Sequence, residues 1–288
     1  MVCTSIEREI DVSYLENKTV VVTGAASGFG RLIAEQAAAR SARVVGLDVD
    51  GAAVTEAFRP LVHDGKPALA LEVDVTDAVQ VRTAVDTAVE TFGTVDVMVN
   101  NAGVMPLAFL ADHERALTAW DRCIDINLKG VLHGVCAVYD HMVRQGSGHI
   151  VNMSSIYGNT GVAGAAVYSA TKAAVNALSN ALRVETQGAI KVTVVRPTGV
   201  AGTGLGATVV DAMSAVPLAA HNSERFLANA SKLAAGDLSP EQQDPEHPAY
   251  WRMPAEDVAA HVLYVIDQPL GVAITDISIR ATGEDYVY

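Results

Sequence analysis

Residues 19–30 read TVVVTGAASGFG. The run from Thr19 to Thr23 is β-branched throughout, which is the pattern of a buried strand. It ends at Gly24, and from 28 to 40 the apolar residues recur at helical spacing. A strand that feeds a glycine turn and then a helix is a specific arrangement. The glycines permit a tight turn, and the helix start presents backbone N–H groups to an anion such as a pyrophosphate.

Working outward, short apolar strands are predicted over 43–48, 68–73, 95–100, 149–153, 191–195 and 273–279. Helical periodicity is predicted over 76–92, 112–145, 167–186 and 254–266. Strand and helix alternate along the whole chain. Such alternation predicts an α/β fold: one Rossmann-type, doubly wound parallel sheet of about seven strands, with helices on both faces. Residues 1–17 form an N-terminal extension, and 18–288 the domain itself. The stretch 202–252 departs from the alternation. It holds an amphipathic piece at 216–233 and then GDLSPEQQDPEHPAYWR, whose prolines and acids read as a loop. A segment of this length within a compact domain is expected to be a substrate lid.

Composition narrows the function classes. The 288 residues are half hydrophobic and 18% charged, enough for a large core. A formal net charge of -13 argues against nucleic acid or an anionic membrane as partner. Three scattered cysteines and eight unclustered histidines give neither a disulfide framework nor a metal-ligand pattern, so no metal is expected. The opening MVCTSIEREI lacks an apolar signal core, and no window is long enough for a membrane span. The expected location is cytoplasmic.

Two further groups of residues carry chemistry. The second strand ends at Asp48, eighteen residues past Gly30. A carboxylate there accepts ribose hydroxyls and repels a 2′-phosphate, which favours NAD over NADP. Ser27 occupies the turn position where a basic residue would neutralise that phosphate, and Arg43 stands about 16 Å away at strand rise. Farther on, Tyr168-Ser169-Ala170-Thr171-Lys172 sets a phenol and an ammonium one helical turn apart. The ammonium favours the phenolate, so Tyr168 is expected to act as general acid or base near working pH. Ser155, thirteen residues earlier, can fix the substrate oxygen beside it, with Ser154 as the adjacent alternative. Asn127 lies in the preceding long helix, where its amide can hold a water near Lys172.

Taken together, TGAASGFG at 23–30, Asp74-Val75, NNAG at 100–103, Asn127, MSS at 153–155 and YSATK at 168–172 resemble the classical short-chain dehydrogenase/reductase family. The resemblance covers about 18 to 200 and returns in the last helix and strand. It implies a catalytic set of Asn127, Ser155, Tyr168 and Lys172. It implies dinucleotide contacts from Gly24, Ser27, Gly28, Phe29, Gly30, Asp48, Asp74, Val75, Asn101, Ala102 and Gly103, then from Tyr168, Lys172, Pro197, Gly199 and Val200. Asp74 and Val75 would meet the adenine, Asn101 the adenosine-side ribose, Lys172 the nicotinamide ribose and Val200 the carboxamide. One departure stands out. The family's Pro-Gly turn reads Pro197-Thr198-Gly199-Val200 here, and Thr203 falls one place late.

The expected activity is hydride transfer between NAD and a moderately apolar secondary alcohol or its ketone, acting on CH–OH groups. Ser155, Tyr157, Met105 and Tyr168 are expected to touch the substrate. Val162 serves equally as pocket wall or core. Arg225 and Lys232 in the lid are expected to face solvent. Two alternatives remain: a 3-oxoacyl-thioester reductase, which would want NADPH and a basic docking patch, and a catalytically silent nucleotide sensor. The resemblance further implies a homotetramer or homodimer built on 112–145 and 167–186. The C-terminal DYVY is a candidate contact with a neighbouring subunit.

Overall fold

The computed structural model describes residues 13–200 and 202–287, so most of the N-terminal extension lies outside the described residues. Seven strands form one sheet: β1 Thr19–Thr23, β2 Arg43–Asp48, β3 Ala68–Glu72, β4 Val97–Asn100, β5 Gly148–Met153, β6 Ile190–Pro197 and β7 Asp276–Ile279. Their order is β3-β2-β1-β4-β5-β6-β7, and every pairing is parallel. The fold is the expected Rossmann-like α/β sandwich.

The central strands are apolar on both sides, and their residues alternate between two cores. Val20, Val22, Val44, Val97, Val99 and Val151 point to one face. Val21, Val45, Met98 and Ile150 point to the other. The first core is closed by α1 Gly28–Ala39, α2 Gly51–His63 and α9 Ala255–Ile266. The second is closed by α3 Ala78–Phe92, α5 Val131–Gln145 and α6 Ala166–Glu185. Helix α2 is absent from the sequence expectation. Pro60 within it and its alanine- and glycine-rich start mask a helix whose entry is fixed by Asp50, which accepts from the Ala53 N–H.

Helix α4, His113–Ile124, runs into α5 through a π-helical turn, Asp125–Gly130, which carries Asn127. Such wide turns are found mostly at functional sites. A buried chain of amides ties the centre together. Asn100 donates to Asn152 at 2.8 Å, and Asn152 donates to Ser179 of α6 at 2.9 Å.

The stretch 202–252 differs from its expected form. The amphipathic piece is broken at Ala220, which has φ 44° and ψ -116°. The break lies inside a 3₁₀ run, Ala212–Asn222, and α7 Ser223–Ala235 follows that run. The expected loop contains one short helix, α8 Pro240–Gln243, closed by a capping box between Ser239 and Gln242.

Candidate active site

The sheet reverses its order between β1 and β4, and at that point strand C-termini open a crevice. A cavity of about 960 Å³ fills it and extends under 202–252. This is at the upper end for small-molecule sites.

One end is built from the glycine turn. Gly24 has φ +67°, a conformation that disfavours other residues. A methyl at Gly30 would collide with the Gly24 carbonyl oxygen and stand 2.6 Å from Asn101 Nδ2. The α1 N-terminus has no side-chain cap and no acid in its first turn, which leaves its N–H groups available to an anion. Asp48 closes this end. One of its carboxylate oxygens accepts from Ala26 N–H at 3.0 Å and the other from Asp50 N–H at 3.1 Å. Asp74, Val75, Asn101, Ala102 and Gly103 also line the crevice. Asn101 does structural work first: its Nδ2 donates to the Thr23 carbonyl at 2.8 Å and clips the turn to β4.

The other end holds the phenol. Tyr168 and Lys172 share one face of α6, with Lys172 Nζ 5.8 Å from the phenol ring centroid. Lys172 Nζ donates to the Met153 carbonyl at 2.8 Å, which anchors it under the C-terminus of β5. Ser155 hydrogen-bonds the Tyr168 phenol. Ser154 points elsewhere, donating to the Lys172 carbonyl at 3.2 Å, so the choice between the two serines falls on Ser155.

Electrostatics here run against the expectation from the Tyr/Lys spacing. Burial pushes the Tyr168 phenol up to about 12, and the Ser155 hydrogen bond only partly opposes it. Burial likewise pulls the Lys172 ammonium down to about 8. Burial is the dominant influence, and the phenol is held in its protonated form.

Asn127 is fully buried beneath this group. Its Nδ2 donates to the Val104 carbonyl at 2.8 Å and its oxygen accepts the Val104 N–H at 2.9 Å. The amide group is therefore a two-point clamp on the chain after Gly103.

Of the expected substrate contacts, Ser155, Tyr157, Met105 and Tyr168 all line the cavity. Val162 packs in the apolar cluster of Leu107, Ile156 and Leu218 and is core. Pro197, Thr198, Gly199, Val200 and Thr203 also line the cavity, with Thr203 lying against Gly28 of the glycine turn. From 202–252 come Leu205, Val209 and Leu218, and the α7 face of Phe226, Ala230 and Leu233.

Sequence reasoning missed the C-terminal segment. Glu284, Asp285 and Tyr286 also line the cavity. Asp285 is buried and receives Trp251 Nε1 at 2.7 Å, Asn229 Nδ2 at 3.0 Å and a close ion pair from Arg225. Arg225 faces solvent as expected, with 59% of its side chain exposed, and still pairs with this buried carboxylate. Tyr286 packs on Tyr157 and Phe226 of its own chain.

Comparison with known proteins fits this geometry. The short chain dehydrogenase family matches residues 18–214. An uncharacterized oxidoreductase of Staphylococcus saprophyticus is 30% identical over 268 residues, 92% of this chain and 98% of its own. A glycine betaine reductase of Emericella nidulans is 33% identical over 94% of this chain, which spans only 19% of that protein. Among solved structures, a short-chain dehydrogenase/reductase from Burkholderia phymatum in complex with NAD is 28% identical with a TM-score of 0.72, covering 92% of this chain and 89% of that one. An alcohol dehydrogenase from Thermococcus sibiricus complexed with 5-hydroxy-NADP shares the fold at 21% identity, with a TM-score of 0.74 over 94% of this chain and 99% of that one.

Proposed function

The chain belongs to the short-chain dehydrogenase/reductase family of oxidoreductases, and from that premise we propose that it uses NAD to interconvert a moderately apolar secondary alcohol and its ketone. The observation that carries this reading is the convergence of Ser155, Tyr168 and Lys172 at one end of a crevice whose other end closes on Asp48.

The residues present fit a dinucleotide. The methyl-intolerant cradle at Gly30 and the uncapped α1 N-terminus suit a pyrophosphate. Asp48 shares the cavity lining with Gly24, Ser27, Gly28, Val49 and Asp74, and neither the glycine turn at 24–30 nor the end of β2 at 48–50 carries a cation to neutralise a 2′-phosphate. This supports NAD over NADP. Lys172 would hold the nicotinamide ribose, and the Val200 backbone the carboxamide.

When bound, the dinucleotide supplies or accepts the hydride. The chain's own residues handle position and proton. Ser155 and Tyr168 present their hydroxyls to one substrate oxygen, fixing it beside the nicotinamide end. In ketone reduction the Tyr168 O–H gives its proton to the developing alkoxide. Lys172 stabilises the phenolate left behind, and Asn127 keeps the adjoining chain in register through Val104. The raised phenol suits reduction at neutral pH. Alcohol oxidation needs the phenolate first, so its rate should climb with pH. The stretch 202–252, with its apolar α7 face over the cavity, acts as the lid and keeps water from the reacting atoms.

Assembly belongs to the same proposal. Leu117, Ile124 and Leu132 are large apolar residues exposed along α4 and α5, which supports pairing of these helices in a homo-oligomer. No helix among the described residues is long and apolar enough to cross a membrane, in keeping with the expected cytoplasmic setting.

The test is a panel of secondary alcohols and ketones followed at the NADH absorbance band, with Tyr168→Phe beside the parent. Loss of the proton donor should lower turnover about 10²–10⁴-fold while the dinucleotide Kd moves little. Near-normal turnover by Tyr168→Phe would reject the assigned role.

A further inference from the structure

Glu284 takes no part in the proton transfer above, yet it is 6% exposed and lines the same cavity. Arg280 Nη2 stands 2.9 Å from Oε1 as an ion pair, but among the described residues neither carboxyl oxygen accepts a hydrogen bond. Burial pushes this carboxyl up to about 7; Arg280 opposes the rise and Asp285 adds to it. Oε2 is turned to the nicotinamide-side turn, because a methyl at Gly199 would lie 2.5 Å from it.

The surroundings leave this acceptor capacity unused. Tyr157 and Tyr286 meet edge to face at 6.1 Å, and Phe226 lies 5.4 Å from Tyr286. The Tyr157 hydroxyl donates to the Leu218 carbonyl, and Trp251 Nε1 to Asp285. The polar ends of Tyr157 and Trp251 are thus engaged within the wall, and the Tyr286 hydroxyl has no hydrogen bond among the described residues. Arg252 lines the same wall but is only partly buried. A carboxyl group buried with empty acceptor sites costs free energy unless a ligand fills them.

We propose that Glu284 is a specificity-determining residue that accepts a hydrogen bond from a hydroxyl or amino group of the substrate, remote from the reacting carbonyl. The substrate class becomes a ketone or secondary alcohol with an apolar body and one such donor. This rests on the oxidoreductase reading above and deepens it.

The experiment compares the parent, Glu284→Gln and Glu284→Leu on matched ketones: a plain alkyl ketone, its hydroxyl analogue and its amino analogue. The parent should favour a donor-bearing member by about tenfold or more in kcat/KM, since a site built to hydrogen-bond rejects the analogue that cannot. Glu284→Leu should bring that ratio close to one. Glu284→Gln keeps an amide acceptor, so it should retain preference for the hydroxyl and lose it for the amine. Dinucleotide binding by both variants verifies that they fold. An unchanged ratio in Glu284→Leu overturns the assignment. So does a raised dinucleotide Kd as the main effect, which would place Glu284 on the cofactor. If the parent turns over no ketone, the oxidoreductase reading itself fails. Calorimetry with the same ligands on dinucleotide-saturated protein then decides the Glu284 role: donor-dependent binding lost in Glu284→Leu supports it, and equal binding refutes it.

Discussion

Asp285→Ala should unfasten the C-terminal segment from the lid. Asp285 is 1% exposed and its carboxylate gathers three donors from two places: Arg225 and Asn229 of α7, and Trp251. Removing one partner of a buried ion pair typically costs about 3–5 kcal/mol. Arg225 is 59% exposed, so water recovers part of its share. Asn229 and Trp251 are buried and would each lose an acceptor, at about 1–3 kcal/mol per orphaned donor. These effects overlap, and a net loss of about 3 kcal/mol follows, near the lower bound for a buried pair. Equilibrium unfolding in urea measures it directly, and the accompanying fall in Tm should be about 6–12 °C. Asp285→Asn, which keeps one carbonyl acceptor, should lose less. A cost below about 1 kcal/mol for Asp285→Ala would show that this carboxylate does not anchor the segment, and the reasoning from its three partners would be wrong.

Gly30→Ala should raise the dinucleotide Kd at least tenfold, because its methyl meets the Gly24 carbonyl and the Asn101 amide; unaltered affinity by calorimetry would contradict the cradle. Asp48→Ala should narrow the preference for NAD over NADP, read as a ratio of kcat/KM, and an unmoved ratio would show that the ribose is recognised elsewhere. His149 is buried on β5 with Nε2 2.8 Å from Thr193 Oγ1, and burial together with Lys191 holds the imidazole down to about 3. It stays neutral when folded and protonates on unfolding, so its stabilisation is complete above about pH 6.5 and drains away as pH falls toward 3. His149→Gln should flatten that acid slope in urea midpoints taken from pH 7 to 4; parallel slopes would assign acid sensitivity to other groups.

The strands, the glycine turn and the Tyr168–Lys172 pair were legible because each is a local pattern: β-branched runs, a change of period, one helical turn of spacing. Helix α2 was not, although Asp50 and the spacing of Val54, Ala57, Phe58 and Leu61 were available as signals. The Ser155–Tyr168 meeting was readable from thirteen residues of separation, whereas the protonation state was not, since desolvation is a property of the assembled cavity. Glu284 and Asp285 carry no local mark at all. The partners of Asp285, namely Arg225, Asn229 and Trp251, lie dozens of residues away in sequence, and only chain closure brings them together. The break at Ala220 escaped for a similar reason, because an amphipathic stripe shows no sign of a positive φ.

The π-helical turn at Asp125–Gly130 gives α4 and α5 independent phases. Ahead of it, Trp120 and Cys123 are set by the chain around Pro106 and Val104. Behind it, Val131, Val135, Val138 and Met142 are set by the sheet. Deleting one residue from the turn would rotate the two halves by about 100° relative to each other. The helix would then regain a regular screw only by swinging the apolar stripe off the sheet or Asn127 off Val104. An insertion of this kind is irreversible in a single step: once both halves have been fitted to their separate neighbours, the irregularity is what allows one rod to serve them both.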